Sequence, residues 1–369
     1  MSTQSDVDFQ QKNTPAKPYL ADFKSLTFEI KRRGLYGRDT KQVIIELLIH
    51  ILICIVGIVL FIVFENTLAR TASALLMASG LLGVGTHTHN SSHYASTEKN
   101  TLDNLLTYLG YSFILGFSAL FWRYKHCIVH HSNPNILGVD EDIDLMPFFA
   151  VTETDAKNAK GLAKFYYSYI QPVIFPFMIS LTAFNIQRQA WIFLIRALSD
   201  SKRRKMAHWI DLACNILHIV AWIFIPMFFF SPLDVIAFYI LRNVLVGYAL
   251  FFMLGSSHLP IEAVCSVEQQ QHAEFVLKQT AATINIHTNR YGRFIMSGLD
   301  YQIEHHLFRG ISYTRLPELS ELVKEYCKYH NYPYHTLGFF EASWKTIAVF
   351  YTPKPVHTDL QKLIVNNSQ

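Results

Sequence analysis

Residues 71–93 read TASALLMASGLLGVGTHTHNSSH. An apolar run from Thr71 to Thr86 gives way, without a break, to His87, His89 and His93. On a helix, His89 and His93 are four apart, share one face and can grip one metal ion. His87 would point elsewhere, so it is expected to sit behind the ligands. A membrane span needs about 20 mostly apolar residues. The stretch therefore reads as a span that delivers histidines at its end.

Working outward, the run Val43 to Phe64 is a second span, despite Glu46 and His50 near its start. Only the turn Glu65 to Arg70 separates the two runs. His208 to Phe230 and Leu233 to Leu254 repeat the arrangement around Ser231-Pro232. Two helical hairpins are predicted. Leu105–Trp122 and Phe165–Ile186 are also apolar, but if either crossed, the histidine clusters would face opposite sides of the bilayer. Their tyrosines (Tyr108, Tyr111, Tyr166, Tyr167, Tyr169) and Pro172 and Pro176 suit helices lying in the interface. Under this count Arg32, Arg33, Arg38, Lys41, Arg123, Lys125 and Lys202 to Lys205 share one side. Positive charge favours the cytoplasm, so both termini and all histidine clusters are expected there, in a bacterial inner membrane or the endoplasmic reticulum. The expected fold is an all-α integral membrane protein. It has four transmembrane helices in two hairpins, interfacial helices and a cytosolic helical cap.

Composition agrees. Hydrophobic residues make up 51% of the 369 and charged ones only 16%, against about 25% charged in soluble domains. The net charge of +4 is modest and no basic tract suggests a nucleic-acid partner. The five cysteines are scattered without a CxxC pair, so they give neither a disulfide framework nor a thiolate metal site. The polar stretch 1–20 shows no signal peptide or HPGG-type haem segment and is expected to be a disordered tail. Residues 21–350 form the expected domain and 351–369 a C-terminal tail.

Two more clusters accompany the first. In His126-Cys127-Ile128-Val129-His130-His131, His126 and His130 share a helix face, while His131 projects about 100° away and can reach a second metal. In Gln302-Ile303-Glu304-His305-His306, Gln302 and His305 share a face. A lone His258 follows the last span. His89, His93, His126, His130, His131, His258, His305 and His306 are thus eight candidate ligands, and a tetrahedral site needs only four. Two metals are expected. Imidazole suits iron, zinc, copper and nickel alike. Soluble di-iron oxidases use a carboxylate pattern missing from this chain. Glu304 is a candidate to orient ligating imidazoles, and Asp140, Asp142 and Asp144 could do the same or form a solvated loop. Arg242 and Asn243, near the middle of the last span, are costly in lipid and are expected to line a substrate tunnel.

The boxes His89-x-x-x-His93, His126-x-x-x-His130-His131 and Gln302-x-x-His305-His306, carried on two hairpins, resemble those of the membrane fatty acyl desaturase family. The segment His130-His131-Ser-Asn-Pro-Asn-Ile-Leu-Gly-Val-Asp-Glu-Asp-Ile-Asp144 is similar too. The likeness covers about Leu35 to Tyr332. It implies that the eight histidines hold two non-haem iron ions and that O2 is a co-substrate. It also implies electrons from a ferredoxin or cytochrome b5 and a substrate that is the acyl chain of an acyl-CoA or membrane lipid. Gln302 stands where stearoyl-CoA desaturase-like members have histidine, as in the front-end branch and some bacterial enzymes.

Three rivals follow from the same residues. A lipid or carotenoid hydroxylase or ketolase would use the same scaffold. A membrane haem protein would need histidines facing each other inside spans, where His50 and His218 lie at different depths. A zinc transporter would need ligands along a crossing path rather than on one face.

Overall fold

The computed structural model describes residues 17–366. Four helices are long and apolar enough to cross a bilayer: Thr40–Val63, Thr67–Ser92, Met206–Phe228 and Pro232–Gly255. They form the two expected hairpins. Asn66 caps the second helix by accepting the Ala69 N–H at 2.8 Å. Ser231 caps the fourth by accepting the Asp234 N–H at 3.2 Å, with Pro232 in the first turn. The second helix does not stop at Thr86 but runs through the first histidine cluster to Ser92.

Along the first helix the buried residues Val43, Leu47, His50, Cys54 and Gly57 form one stripe. Leu48, Leu52, Ile55 and Val59 lie exposed between them. That apolar outer face suits lipid. The buried stripe packs on the second helix through small residues. A Cβ on Gly57 would lie 2.4 Å from the Met77 amide nitrogen, and one on Gly80 would lie 2.4 Å from that of Cys54. Lipid offers no hydrophobic drive for helix association, so close backbone approach of this kind supplies the packing.

The two ambiguous stretches are sharply bent. Asn100–Leu115 meets Ala119–His130 at 112°, and Gly161–Ile179 meets Thr182–Ser199 at 73°. The first bend ends one helix and starts another among apolar neighbours, where an unpaired backbone group costs several kcal/mol. Three other helices supply partners. His218 Nδ1 meets the Phe113 carbonyl at 2.9 Å. Arg242 donates to the Ile114 carbonyl at 2.6 Å and Gln187 to that of Leu115 at 3.1 Å. Across the bend, the Asp211 carboxylate accepts the Ser112 hydroxyl of the first limb and the Ser118 hydroxyl before the second, both at 2.6 Å, and the Leu120 N–H at 3.0 Å. Donors therefore meet the carbonyl end of one helix and an anion meets the amide end of the next, as their dipoles favour. Gly116 turns the corner at φ +77°, where a Cβ would lie 2.6 Å from His218 Nε2.

Arg242 and Asn243 belong to this network. The Arg242 guanidinium lies 4.4 Å from the Trp222 ring centroid and donates to Asn243 Oδ1 at 2.7 Å. Both residues are fully buried. Arg242 thereby holds the bend directly, through the Ile114 carbonyl.

Beyond the spans lies a cap that is helical apart from short strands. Strands β1 (Cys265–Ser266) and β2 (Asn285–His287) pair in parallel with β4 (Val356–His357) and β3 (Thr336–Gly338) respectively. Leu26 and Ile30 pack in one core with Leu319, Val323 and Tyr326. The expected tails need correction at both ends. Residues 1–16 lie outside the described residues, but Tyr19 and Leu20 are buried in that core, and the Tyr19 hydroxyl donates to Glu325. At the other end β4 pairs with β1, and Leu360 packs on Leu277 and Ala281. Apolar side chains with a place to bury keep both segments in the fold.

The bend network makes one expectation concrete. Asp211→Ala strands two hydroxyls and a backbone N–H in an apolar site, at a cost on the order of 3 kcal/mol. The purified protein should unfold at a clearly lower temperature, whereas Asp200→Ala, which removes a surface ion pair with Arg203, should barely move it. Equal unfolding temperatures would show that Asp211 does not hold the bend.

Candidate metal centre

Four chain segments deliver the histidines, and each is held differently. The last turns of the second helix carry His89, and His93 follows at the helix end. The segment Arg123–His130 is a π-helix, a form frequent at functional sites. It brings the His126 and His130 rings to 5.0 Å, stacked at 19°. The short helix Gln302–Leu307 carries His305 and His306. His258 sits in the turn after the fourth span, its ring centroid 4.7 Å from that of His130.

All eight predicted ligands converge, in two groups. His89, His93, His126, His131 and His305 offer ring nitrogens lying within 4.8 Å of one another, and so do His130, His258 and His306. The adjacent pairs are split between the groups because neighbouring side chains project apart around a helix. The groups abut, with the His131 and His306 rings 4.3 Å apart.

Within the larger group the Nε2 atoms of His89 and His126 are 2.8 Å apart. Those of His126 and His131 are 3.2 Å apart, and those of His131 and His305 3.1 Å. Two imidazoles at right angles on one metal, with bonds of about 2.1 Å, would place their nitrogens about 3 Å apart. The donor set therefore fits metal ions. Burial, reinforced by neighbouring imidazoles, holds His131, His258, His305 and His306 well below the ordinary histidine range. They stay neutral, as ligands must. His131 Nδ1, His258 Nδ1 and His306 Nε2 are buried without a hydrogen-bond partner. Buried polar atoms are rarely left so. Cys127 lies nearby, with Sγ 3.7 Å from His93 Nε2. Burial pushes its thiol up to about 11.

The supporting residues differ in part from expectation. Asp140 behaves as predicted: its Oδ2 accepts from His130 Nδ1 at 2.8 Å and from the Asn135 N–H at 2.9 Å. Burial opposes charge on His130, but this carboxylate outweighs it and raises the pKa. On a ligating imidazole the same contact raises basicity. Gln302 lies with Nε2 3.0 Å from His258 Nε2. Glu304 touches no imidazole. It accepts from Asn285 Nδ2 and the Tyr334 hydroxyl, each at 2.8 Å, and so fastens its helix to β2. His87 also supports no ligand. It packs edge-on against Tyr313 with ring centroids 5.3 Å apart, 3.8 Å from the Glu46 carboxylate.

Two further supports, Gln279 and Lys354, escape sequence reading, whereas Asp142 is among the acidic residues it raised. Gln279 Oε1 accepts from His306 Nδ1 at 3.0 Å, which leaves Nε2 for a metal. Asp142 lies 3.5 Å from His126 Nδ1 and pairs with Lys125 at 2.9 Å. Lys354 reaches the turn that carries His258. The acidic run from Asp140 to Asp144 signalled Asp142. No local pattern marks Gln279 or Lys354.

A cavity of about 510 Å³ adjoins the smaller group. His126, His130, His258 and Gln302 line it together with the apolar Ile179, Leu250 and Phe251 and the charged Lys125, Asp142 and Arg188. Arg242 and Asn243 are not among its lining residues.

Comparison with known proteins agrees with this geometry. A family profile described as fatty acid desaturase matches residues 65–338. The chain is 28% identical to Delta(8)-fatty-acid desaturase 2 of Arabidopsis thaliana, over 88% of its own length and 73% of that protein. It is 27% identical to the Delta(8)-fatty-acid desaturase of Borago officinalis, over 90% of its length and 74% of that protein. For the Delta(6)-fatty-acid desaturase fat-3 of Caenorhabditis elegans the identity is 28%, over 73% of this chain and 61% of the other. The matched span contains all eight converging histidines, and the chain belongs to the fatty acid desaturase family of oxidoreductases.

Proposed function

We propose that this protein is an O2-dependent di-iron desaturase that introduces a double bond into the acyl chain of a membrane lipid or acyl-CoA. The observation that carries the reading is a largely apolar cavity whose lining includes histidines of both ligand groups. Removing hydrogen from an unactivated methylene is beyond any side-chain acid or base. Iron bound by the eight histidines would supply that oxidising chemistry. The net reaction converts CH2–CH2, O2, two electrons and two protons into CH=CH and two waters. The two electrons come from a separate donor of the ferredoxin or cytochrome b5 type.

The chain's own residues perform the remaining tasks. Ile179, Leu250 and Phe251 bind the acyl chain by apolar contact and keep water from it. Trp122 and Gln302 line the cavity with the histidines and limit how the chain can lie there. Asp140 and Gln279 fix the rings of His130 and His306. The basic segments flanking the spans support a cytoplasmic position for the centre, where a soluble electron donor can dock.

Two outcomes test the proposal. Cells expressing the chain should gain lipids with new double bonds; new hydroxyl groups in their place would favour a hydroxylase. His130→Ala and His306→Ala should each lower product formation by at least about 100-fold, with the protein still inserted in the membrane. Full activity in either variant would remove that residue from the ligand set. Separately, the purified protein should carry about two irons per chain, matching the two groups. Zinc in their place, without oxidase activity, would contradict the reading.

A further inference from the structure

Lys354 is 2% exposed, although it stands in a segment that the sequence assigns to a tail. Burying an ammonium is costly unless acceptors surround it. Its Nζ donates to the His258 carbonyl at 2.9 Å and to the Ala263 carbonyl at 2.6 Å. These two carbonyls bracket the turn that runs from His258 to Ala263. Asn135 donates its side-chain amide to the same pair, at 2.9 and 3.4 Å. The turn is therefore held at both ends by two side chains from distant parts of the chain.

The lysine is itself rigidly based. Its N–H donates to the Val151 carbonyl at 3.0 Å, and its carbonyl accepts the Glu153 N–H at 2.9 Å. Two residues on, β4 pairs with β1, Cys265 facing Val356. Next to β1, the Leu137 N–H donates to the Ser266 carbonyl at 3.0 Å. The C-terminal segment thus ties together the loop after His131, the turn bearing His258 and the strand that follows it. His258 has no second histidine beside it and sits on no helix, so its ring depends on this turn.

We propose that Lys354 is a positioning residue for the His130, His258 and His306 group, and that the C-terminal segment is part of the metal centre. The inference rests on the reading that this group holds iron. Without the ammonium, the turn loses its anchor, His258 swings from its partners and one of the two ions is lost. The five-histidine group shares none of these contacts and keeps its ion.

The test measures iron per chain and the Mössbauer spectrum of the full-length protein after loading with ferrous iron. Wild type, Lys354→Met and Asn135→Gly are compared. Glycine suits position 135, where φ is +54°. Each variant should hold about half the wild-type iron, and its spectrum should fall from two ferrous environments to one. Retained iron with an unchanged spectrum in both variants would overturn the proposal. Loss of both ions in both variants would overturn it too, because the role would then be general to the fold. A wild-type protein that binds no iron would instead defeat the di-iron reading beneath it.

Discussion

Eight neutral imidazoles have to meet in one buried place, and the rest of the fold can be understood from that requirement. Each ring must present a lone pair inward while its outward nitrogen finds a partner or stays dry. The rings come from residues 89–93, 126–131, 258 and 305–306. No two of these segments are neighbours in sequence, so only the tertiary fold can bring them together. The two hairpins end the second and fourth spans close to each other. The first bent pair returns His126, His130 and His131 to the same level, and the cap closes over them with His305 and His306. Burial then favours the uncharged form of six rings outside the spans, while the carboxylates of Asp140 and Asp142 favour charge on His130.

The bilayer sets the other condition. Helices that bend back within an apolar layer expose backbone groups that water cannot satisfy. Here Arg242, His218 and Gln187 serve the carbonyls of the first limb, and Asp211 serves the start of the second. That second limb runs on into His126 and His130. Charged residues inside spans usually signal transport paths or ligand sites. In this protein they hold the bend of a helix pair that carries ligands and also supplies Phe121 and Trp122 to the cavity wall. Structural support and site geometry are therefore the same set of hydrogen bonds.

Much of this was legible in the sequence, for physical reasons. Apolar runs of span length separated by short turns give the hairpins, and histidines at four-residue spacing can only share a helix face. The parity of the spans placed all the clusters on one level, and the eight converging rings agree with it. The rest was hidden where a residue's role depends on distant partners. Nothing local shows that the carbonyl of Ile114 lies against Arg242. Glu304 is adjacent to His305, yet helical geometry turns it toward Asn285 and Tyr334. His87 lies within its cluster in sequence but on another face, beside Glu46 and Tyr313. Tyr19, Leu20, Val356 and Leu360 sit in polar stretches whose composition suggests tails, and only the cap shows where they bury. Gln279 and Lys354 carry no sequence signal at all, because a second support for a ligand needs only the right place.

The central claim is that the histidines form two adjoining metal sites, five around one and three around the other. An experimental structure of the iron-loaded protein, with anomalous scattering measured at the iron edge, tests it most directly. The account predicts one peak among His89, His93, His126, His131 and His305, and a second among His130, His258 and His306. A single peak shared by all eight, or peaks bound by other residues, would contradict it.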